Sequence, residues 1–97
     1  MIDLGKIVGF EWDKWNLDKN YIKHGITPKE AEEVFLDENV LLIEDIKHSG
    51  AEERSIAIGM TVGDSLLFVV FTVRSNKIRI ISARIANKKE RRQYEQA

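Results

Sequence analysis

The sequence predicts an α+β domain: an antiparallel sheet of about four strands, with two helices N-terminal to it and one C-terminal. Three observations lead there. Two helix-start signatures, Thr27-Pro28-Lys29-Glu30 and Asn87-Lys88-Lys89-Glu90, bracket the second half of the chain. Between them, residues 40–85 form apolar, β-branched runs separated by polar segments of hairpin length. Finally, 97 residues with 43% hydrophobic side chains, one Pro and no Gly/Ser-rich stretch suit a single domain over residues 1–97.

Each element follows from local chemistry. Phe10-Glu11-Trp12 reads as a short strand or an extended lead-in. Asp13 caps a first helix running to about His24, which Gly25 stops. Thr27 caps the second, with Pro28 at its first position and Glu30 completing a capping box. Ala31, Val34 and Phe35 are its buried stripe, and it ends near Asp37. A strand follows over residues 40–46, then a polar loop over 47–52. In the next strand Arg54, Ile56, Ile58, Met60 and Val62 face one way, and Ser55, Ala57, Gly59 and Thr61 the other. Gly63-Asp64 is a tight hairpin turn. Residues 66–73 are apolar on both faces, as a covered central strand requires. Arg74-Ser75-Asn76 turns the chain into a last strand over 77–85, and Asn87 caps a final helix through Tyr94.

Composition narrows the function. With no cysteine, a disulfide scaffold and any Cys-ligated metal site are excluded. The two histidines, His24 and His48, lack the paired spacing of zinc motifs, so neither metal nor cofactor is expected. No apolar run approaches the roughly 20 residues of a membrane span, and the N-terminus lacks a signal peptide's apolar stretch. The expectation is a cytoplasmic protein with no membrane partner. Net charge is −1, but residues 1–64 carry 7 basic and 14 acidic side chains, whereas residues 65–97 carry 8 basic and 2 acidic. A basic surface for a polyanion or an acidic partner would produce that division; so would a solvated helix beside a charged strand.

The candidate sites have two readings each. On the first helix Asn16, Lys19, Asn20 and Lys23 lie opposite Trp15, Leu17, Tyr21 and Ile22, with His24 at the margin. That face could hold phosphate or base edges, or be a solvated face whose His favours the helix C-terminus. His48, Glu52, Glu53 and Arg54 assemble the parts of an acid–base site, or of an ordinary polar loop. In a regular last strand Arg79 and Arg84 point to opposite faces, so either a bulge realigns them or only one belongs to a site. Arg84 needs an anion or an ion-pair partner, for which Glu90 is the candidate. Glu90 and Tyr94 share a helix face, surrounded by Lys88, Lys89, Arg91 and Arg92.

One ordered set of residues is more specific. It begins with Phe10-Glu11-Trp12-Asp13, Asn20, Lys23-His24-Gly25-Ile26-Thr27, Ala31 and Phe35, and continues with His48-Ser49, Glu53-Arg54 and Ile58-Gly59. Ile78 through Arg84, Ala86, Glu90-Arg91 and Tyr94-Glu95 complete it. In order and spacing, over roughly residues 9–95, this resembles the BrnT family of toxins. The resemblance implies a RelE-like fold and a toxin of a type II toxin–antitoxin pair, a ribonuclease that stops translation. It also implies a BrnA-like antitoxin with a DNA-binding, ribbon–helix–helix-like region, the pair repressing its own operon through operator DNA. Carried over, it makes Lys23, His24, Arg54, Arg79, Arg84, Glu90 and Tyr94 the positions to test. Two departures stand out: Asn16 where many members carry Lys, and Val73 where an acidic residue is common.

The mechanism expected from the resemblance is metal-independent attack of an RNA 2′-hydroxyl on the adjacent phosphorus. Arg84, with Arg79 or Arg54, would stabilise the added charge. His24 or His48 would move protons, and Tyr94 would stack on a base or hydrogen-bond the phosphate. Asn20, Lys23, His48, Arg74, Lys88 and Arg91 would bind the RNA strand. A ParE-like toxin acting on DNA gyrase, or an inactive co-repressor, are the alternatives.

Overall fold

A computed structural model of the chain describes residues 4–12, 25–45, 50 and 53–97. Five strands form one mixed sheet: β1 (Gly9–Glu11), β2 (Leu41–Glu44), β3 (Ser55–Met60), β4 (Leu66–Arg74) and β5 (Lys77–Ile85), in the order β1-β5-β4-β3-β2. Strands β2 to β5 are the expected antiparallel meander. The correction is β1, which adds in parallel to β5 by pairing Gly9, Phe10 and Glu11 with Lys77, Ile78 and Arg79. Three residues are too few for alternation to register, and a parallel partner must lie far along the chain. The expected four-stranded antiparallel sheet is thus a five-stranded mixed one.

Two α-helices are described, α1 (Pro28–Glu33) and α2 (Lys88–Gln96). The helix expected over residues 13–24 and most of the polar loop lie outside the described residues. Both capping boxes form. Glu30 N–H donates to Thr27 Oγ1 at 3.2 Å while Thr27 N–H donates to Glu30 Oε1 at 3.0 Å. After Glu33 the chain tightens into a 3₁₀ turn over Val34–Leu36.

α1 and its 3₁₀ turn cover one face of the sheet. The core there joins Ala31, Val34 and Phe35 to Ala57, Leu67, Val69, Phe71, Ile78, Ile80 and Ala83. Phe35 meets Phe71 edge-on at 4.9 Å, and Phe10 lies 5.7 Å from Phe35. Trp12 Nε1–H donates to Glu32 Oε2 at 2.6 Å, which ties the lead-in strand to α1. The small residues of β3 make this approach possible: a Cβ on Gly59 would stand 2.8 Å from Val34 Cγ1 and 2.9 Å from the Val34 carbonyl oxygen.

The hairpin turns differ in type. Asp64 N–H donates to the Thr61 carbonyl at 3.1 Å and Thr61 N–H to the Ser65 carbonyl at 2.8 Å, with Asp64 left-handed at φ 63°. The expected two-residue Gly63-Asp64 turn is therefore a three-residue loop whose left-handed position falls on Asp64. Ser75 and Asn76 both have positive φ, 50° and 61°, which matches the right-handed twist of the strands they join.

Candidate functional site

The β4–β5 ladder contains the feature that organises the site. Val70 pairs with Ser82 and Phe71 with Ile80, so Ile81 is an extra residue opposite nothing. The bulge shifts the alternation by one: Ile78 and Ile80 face the core before it, and Ala83 faces the core after it. Arg79 and Arg84, five residues apart, consequently share the other face. Lys77 and Ser82 on β5 and Phe68, Val70, Thr72 and Arg74 on β4 lie there too. Arg54 directly precedes β3 and shares the parity of Ile56 and Ile58.

Register divides this face into rows. Thr72 pairs with Arg79, and Glu11 of β1 pairs with Arg79 on its other side. Arg54 extends β3 beyond the Ser55–Phe71 pair, and its carbonyl accepts Asp45 N–H at 2.9 Å. Thr72, Arg79 and Glu11 thus stand side by side on three strands, with Arg54 next in the row just before β3. At about 4.8 Å per strand the α-carbons of Arg54 and Arg79 are ~10 Å apart. Thr72 is 3% exposed and its hydroxyl donates to the Glu53 carbonyl at 2.8 Å, anchoring the segment that carries Arg54. Glu11 was not among the expected site residues, because only its parallel pairing sets it beside Arg79.

Arg84 lies in a second row, opposite Phe68. Four β4 residues separate Phe68 from Thr72, ~13 Å along the strand. Of its two expected partners the guanidinium meets the carboxylate: Nη1 donates to Glu90 Oε1 and Nη2 to Glu90 Oε2, each at 2.7 Å. Nη1 also reaches the Ile85 carbonyl at 3.3 Å, and the guanidinium carbon lies 4.1 Å from the Phe68 ring centroid. Glu90 in turn accepts Asn87 N–H at 2.9 Å and closes the α2 capping box. Burial pushes its carboxyl up, but the Arg84 bonds and the Asn87 N–H outweigh burial and hold it below its ordinary value. The bonds to Glu90 raise the Arg84 pKa in the same exchange, against burial.

Tyr94 occupies a third place. Its hydroxyl donates to Asp37 Oδ2 at 2.6 Å, and the same carboxylate accepts Met60 N–H at 2.8 Å and Asn39 N–H at 2.9 Å. The bond to Asp37, then burial, pushes the phenol up to about 12. Burial works against the Asp37 charge, yet the Tyr94, Met60 and Asn39 bonds leave its carboxyl below its ordinary value. Met60 pairs with Leu66, six residues from Thr72, so the Tyr94 anchor is ~20 Å along the sheet from the Arg79 row.

The expected site residues therefore do not form one cluster. Arg54 and Arg79 share a row, with Arg74 on the same face toward the β4–β5 turn. Arg84 and Tyr94 lie further along, each bound to a carboxylate, and Lys88 and Arg91 are exposed on α2. Asn20, Lys23, His24 and His48 lie outside the described residues. All eight cations of the C-terminal third sit on β4, β5 or α2 or the turn that joins them. Among the described residues no group of three His, Cys, Asp or Glu could hold a metal ion, and no helix is long and apolar enough to cross a membrane.

Comparison with known proteins fits this architecture. Residues 12–90 match the model of the family described as "Ribonuclease toxin, BrnT, of type II toxin-antitoxin system". The fold is similar to the crystal structure of the Brucella abortus ribonuclease toxin BrnT, with a TM-score of 0.64 at 26% sequence identity, covering 82% of this chain and 97% of that one. No curated protein matches the chain in sequence. The family match runs from the end of β1 to the Glu90 that clasps Arg84, and so takes in most of the sheet and every residue of the Arg54–Arg79 row except Glu11. The chain belongs to the BrnT family of ribonuclease toxins of type II toxin–antitoxin systems.

Proposed function

We propose that this toxin is an endoribonuclease that cuts RNA at the Arg54–Thr72–Arg79–Glu11 row, by attack of a ribose 2′-hydroxyl on the adjacent phosphorus and without a metal ion. The observation that carries the reading is the bulge at Ile81, which turns the cations of β5 onto the face that already holds Arg54 and Arg74. In the step, the 2′-oxygen loses its proton and bonds to phosphorus, and the 5′-oxygen leaves and takes up a proton. The products are a 2′,3′-cyclic phosphate and a 5′-hydroxyl. Arg79 and Arg54 donate to the non-bridging oxygens as negative charge builds on them. Glu11, beside Arg79, accepts the 2′-hydroxyl proton, and His24 or His48 supplies the leaving oxygen's proton. Arg74, Lys88 and Arg91 hold the strand's phosphates, with Asn20 and Lys23 extending that contact.

Cutting messenger RNA stops translation in the cytoplasm. A BrnA-like antitoxin neutralises the toxin by covering the basic face, and its ribbon–helix–helix-like region carries the pair to operator DNA, where it represses the operon. The test is cleavage of a defined RNA by the purified protein, with mapping of both new ends. The expected result is cyclic-phosphate ends that form equally in EDTA and a large loss in the Arg79→Ala and Glu11→Gln variants. Cleavage lost in EDTA and restored by a divalent ion would overturn the chemistry. A block of DNA replication, rather than of translation, after induction would favour a gyrase-directed toxin instead.

A further inference from the structure

We propose that Arg84 is a stacking platform for an RNA base, not a ligand for the scissile phosphate. This rests on the ribonuclease reading above and assigns a subsite within it. Three sides of the guanidinium are occupied: Glu90 takes both Nη edges at 2.7 Å, the Ile85 carbonyl is 3.3 Å from Nη1, and the Phe68 ring covers one face at 4.1 Å. Its side chain is nonetheless 39% exposed, against 10% for Glu90. With those sides taken, the parts of the side chain left open to solvent are the face of the guanidinium away from Phe68, its Nε edge and the aliphatic stem.

A phosphate can take the guanidinium fork only by displacing Glu90 from a bidentate pair whose carboxylate also caps α2. A base needs none of that. It lies flat on the exposed face and continues the Phe68–Arg84 stack outward, an interaction that arginine planes offer to any unpaired base. The ion pair then has a binding role, because it holds the guanidinium in place over Phe68 before RNA arrives. Arg84 stands ~13 Å along the sheet from the Arg79 row, so the base it holds belongs to a nucleotide displaced from the cleaved bond. Lys88 and Lys89 on the adjoining first turn of α2 are exposed and flank that nucleotide's phosphates.

The experiment measures binding of a 2′-O-methyl RNA that cannot be cut, together with a series in which one nucleotide at a time is abasic. Wild type and Arg84→Lys are compared; lysine keeps the charge and a bond to Glu90 but has no plane. In wild type one abasic position, away from the cleaved bond, should weaken binding roughly fivefold to tenfold. Arg84→Lys should bind intact RNA as weakly as wild type binds that abasic RNA, and show no sensitive position. Phe68→Leu, which removes the support but not the charge, should behave the same way. Circular dichroism of each variant shows whether α2 is still formed. If Arg84→Lys weakens intact and abasic RNA by the same factor, or if no position is sensitive in wild type, the platform is wrong. Wild-type protein that cuts RNA without an abasic-sensitive position refutes the platform alone, whereas failure to bind or cut RNA refutes the ribonuclease reading with it.

Discussion

Replacing Glu90 with Gln removes one negative charge from a side chain that is 10% exposed and accepts three hydrogen bonds. Glutamine fits the space, and its carbonyl can still accept Asn87 N–H. Its amide nitrogen, however, would face the Arg84 fork donor to donor. Removing one partner of a buried ion pair costs about 3–5 kcal/mol, but the Arg84 side chain is 39% exposed and regains water, so a cost of about 2–3 kcal/mol follows. For a chain of this size that is a fall of roughly 8–24 °C in Tm. The loss should concentrate in α2. Between Lys88 and Gln96 that helix has no aliphatic side chain, and it is held by the Arg84–Glu90 pair and the Tyr94–Asp37 bond. Urea unfolding at several pH values provides the assay. Because the Glu90 pKa is depressed on folding, its contribution is present above the ordinary carboxylate range and disappears as pH falls through the lowered value. Wild type and variant should therefore converge in acid, while at neutral pH amide exchange over residues 88–96 should be faster in the variant. A difference below about 0.5 kcal/mol at neutral pH, or one that persists unchanged in acid, would refute the clasp as an energetic feature.

Gly59→Ala should destabilise by about 1–3 kcal/mol in the same assay, since its Cβ meets backbone as well as side chain of Val34 and the 3₁₀ turn after α1 must retreat to admit it. Tyr94→Phe should cost about 1–2 kcal/mol through loss of a charge-assisted hydrogen bond. Because the phenol pKa is raised on folding, that contribution is complete below about pH 10 and is lost as pH rises through about 12. Wild type should accordingly lose it in alkali and Tyr94→Phe should not, which an alkaline unfolding series will show. Arg79→Ala should lower RNA cleavage about a hundredfold, while Tyr94→Phe, once folded, should change it little. Gel analysis of both variants with one RNA compares the two positions directly.

Whether an element was legible in the sequence depended on how local its determinants are. The capping boxes at Thr27 and Asn87 are four-residue motifs, and both form. The β3 alternation correctly put Ser55, Ala57 and Gly59 on one face and Ile56, Ile58 and Met60 on the other. The parallel pairing of β1 is a contact across most of the chain, and nothing near Gly9 announces it. The bulge lies between these extremes. Lys77-Ile78-Arg79-Ile80 and Ser82-Ala83-Arg84-Ile85 repeat the same polar–apolar phase, with Ile81 standing between them as an insertion. That phase slip is the local sign of the bulge, which the sequence left open as one of two alternatives and the ladder register selects. Glu90, six residues from Arg84, was the ion-pair partner the sequence offered as the alternative to an external anion, and the pair forms; Asp37, 57 residues from Tyr94, needed the fold.

The one-residue slip also explains why the charge division along the chain becomes a division in space. Residues 30–45 hold seven carboxylates and no Lys or Arg, and they build α1 and the edge strand β2. With α1 packed on one face of the sheet, the cations of β4, β5 and α2 collect on and beside the other. Had β5 been regular, Arg84 would have pointed toward the α1 side, where it would meet the core and lose Glu90. The bulge prevents that, and among the described residues it keeps the cations of β5 on the face opposite α1. Cations gathered on one face in this way would favour approach of a polyanion from that side. On the ribonuclease reading, an RNA strand would therefore meet the Arg84 and Arg79 rows on one face, because the bulge at Ile81 puts both there.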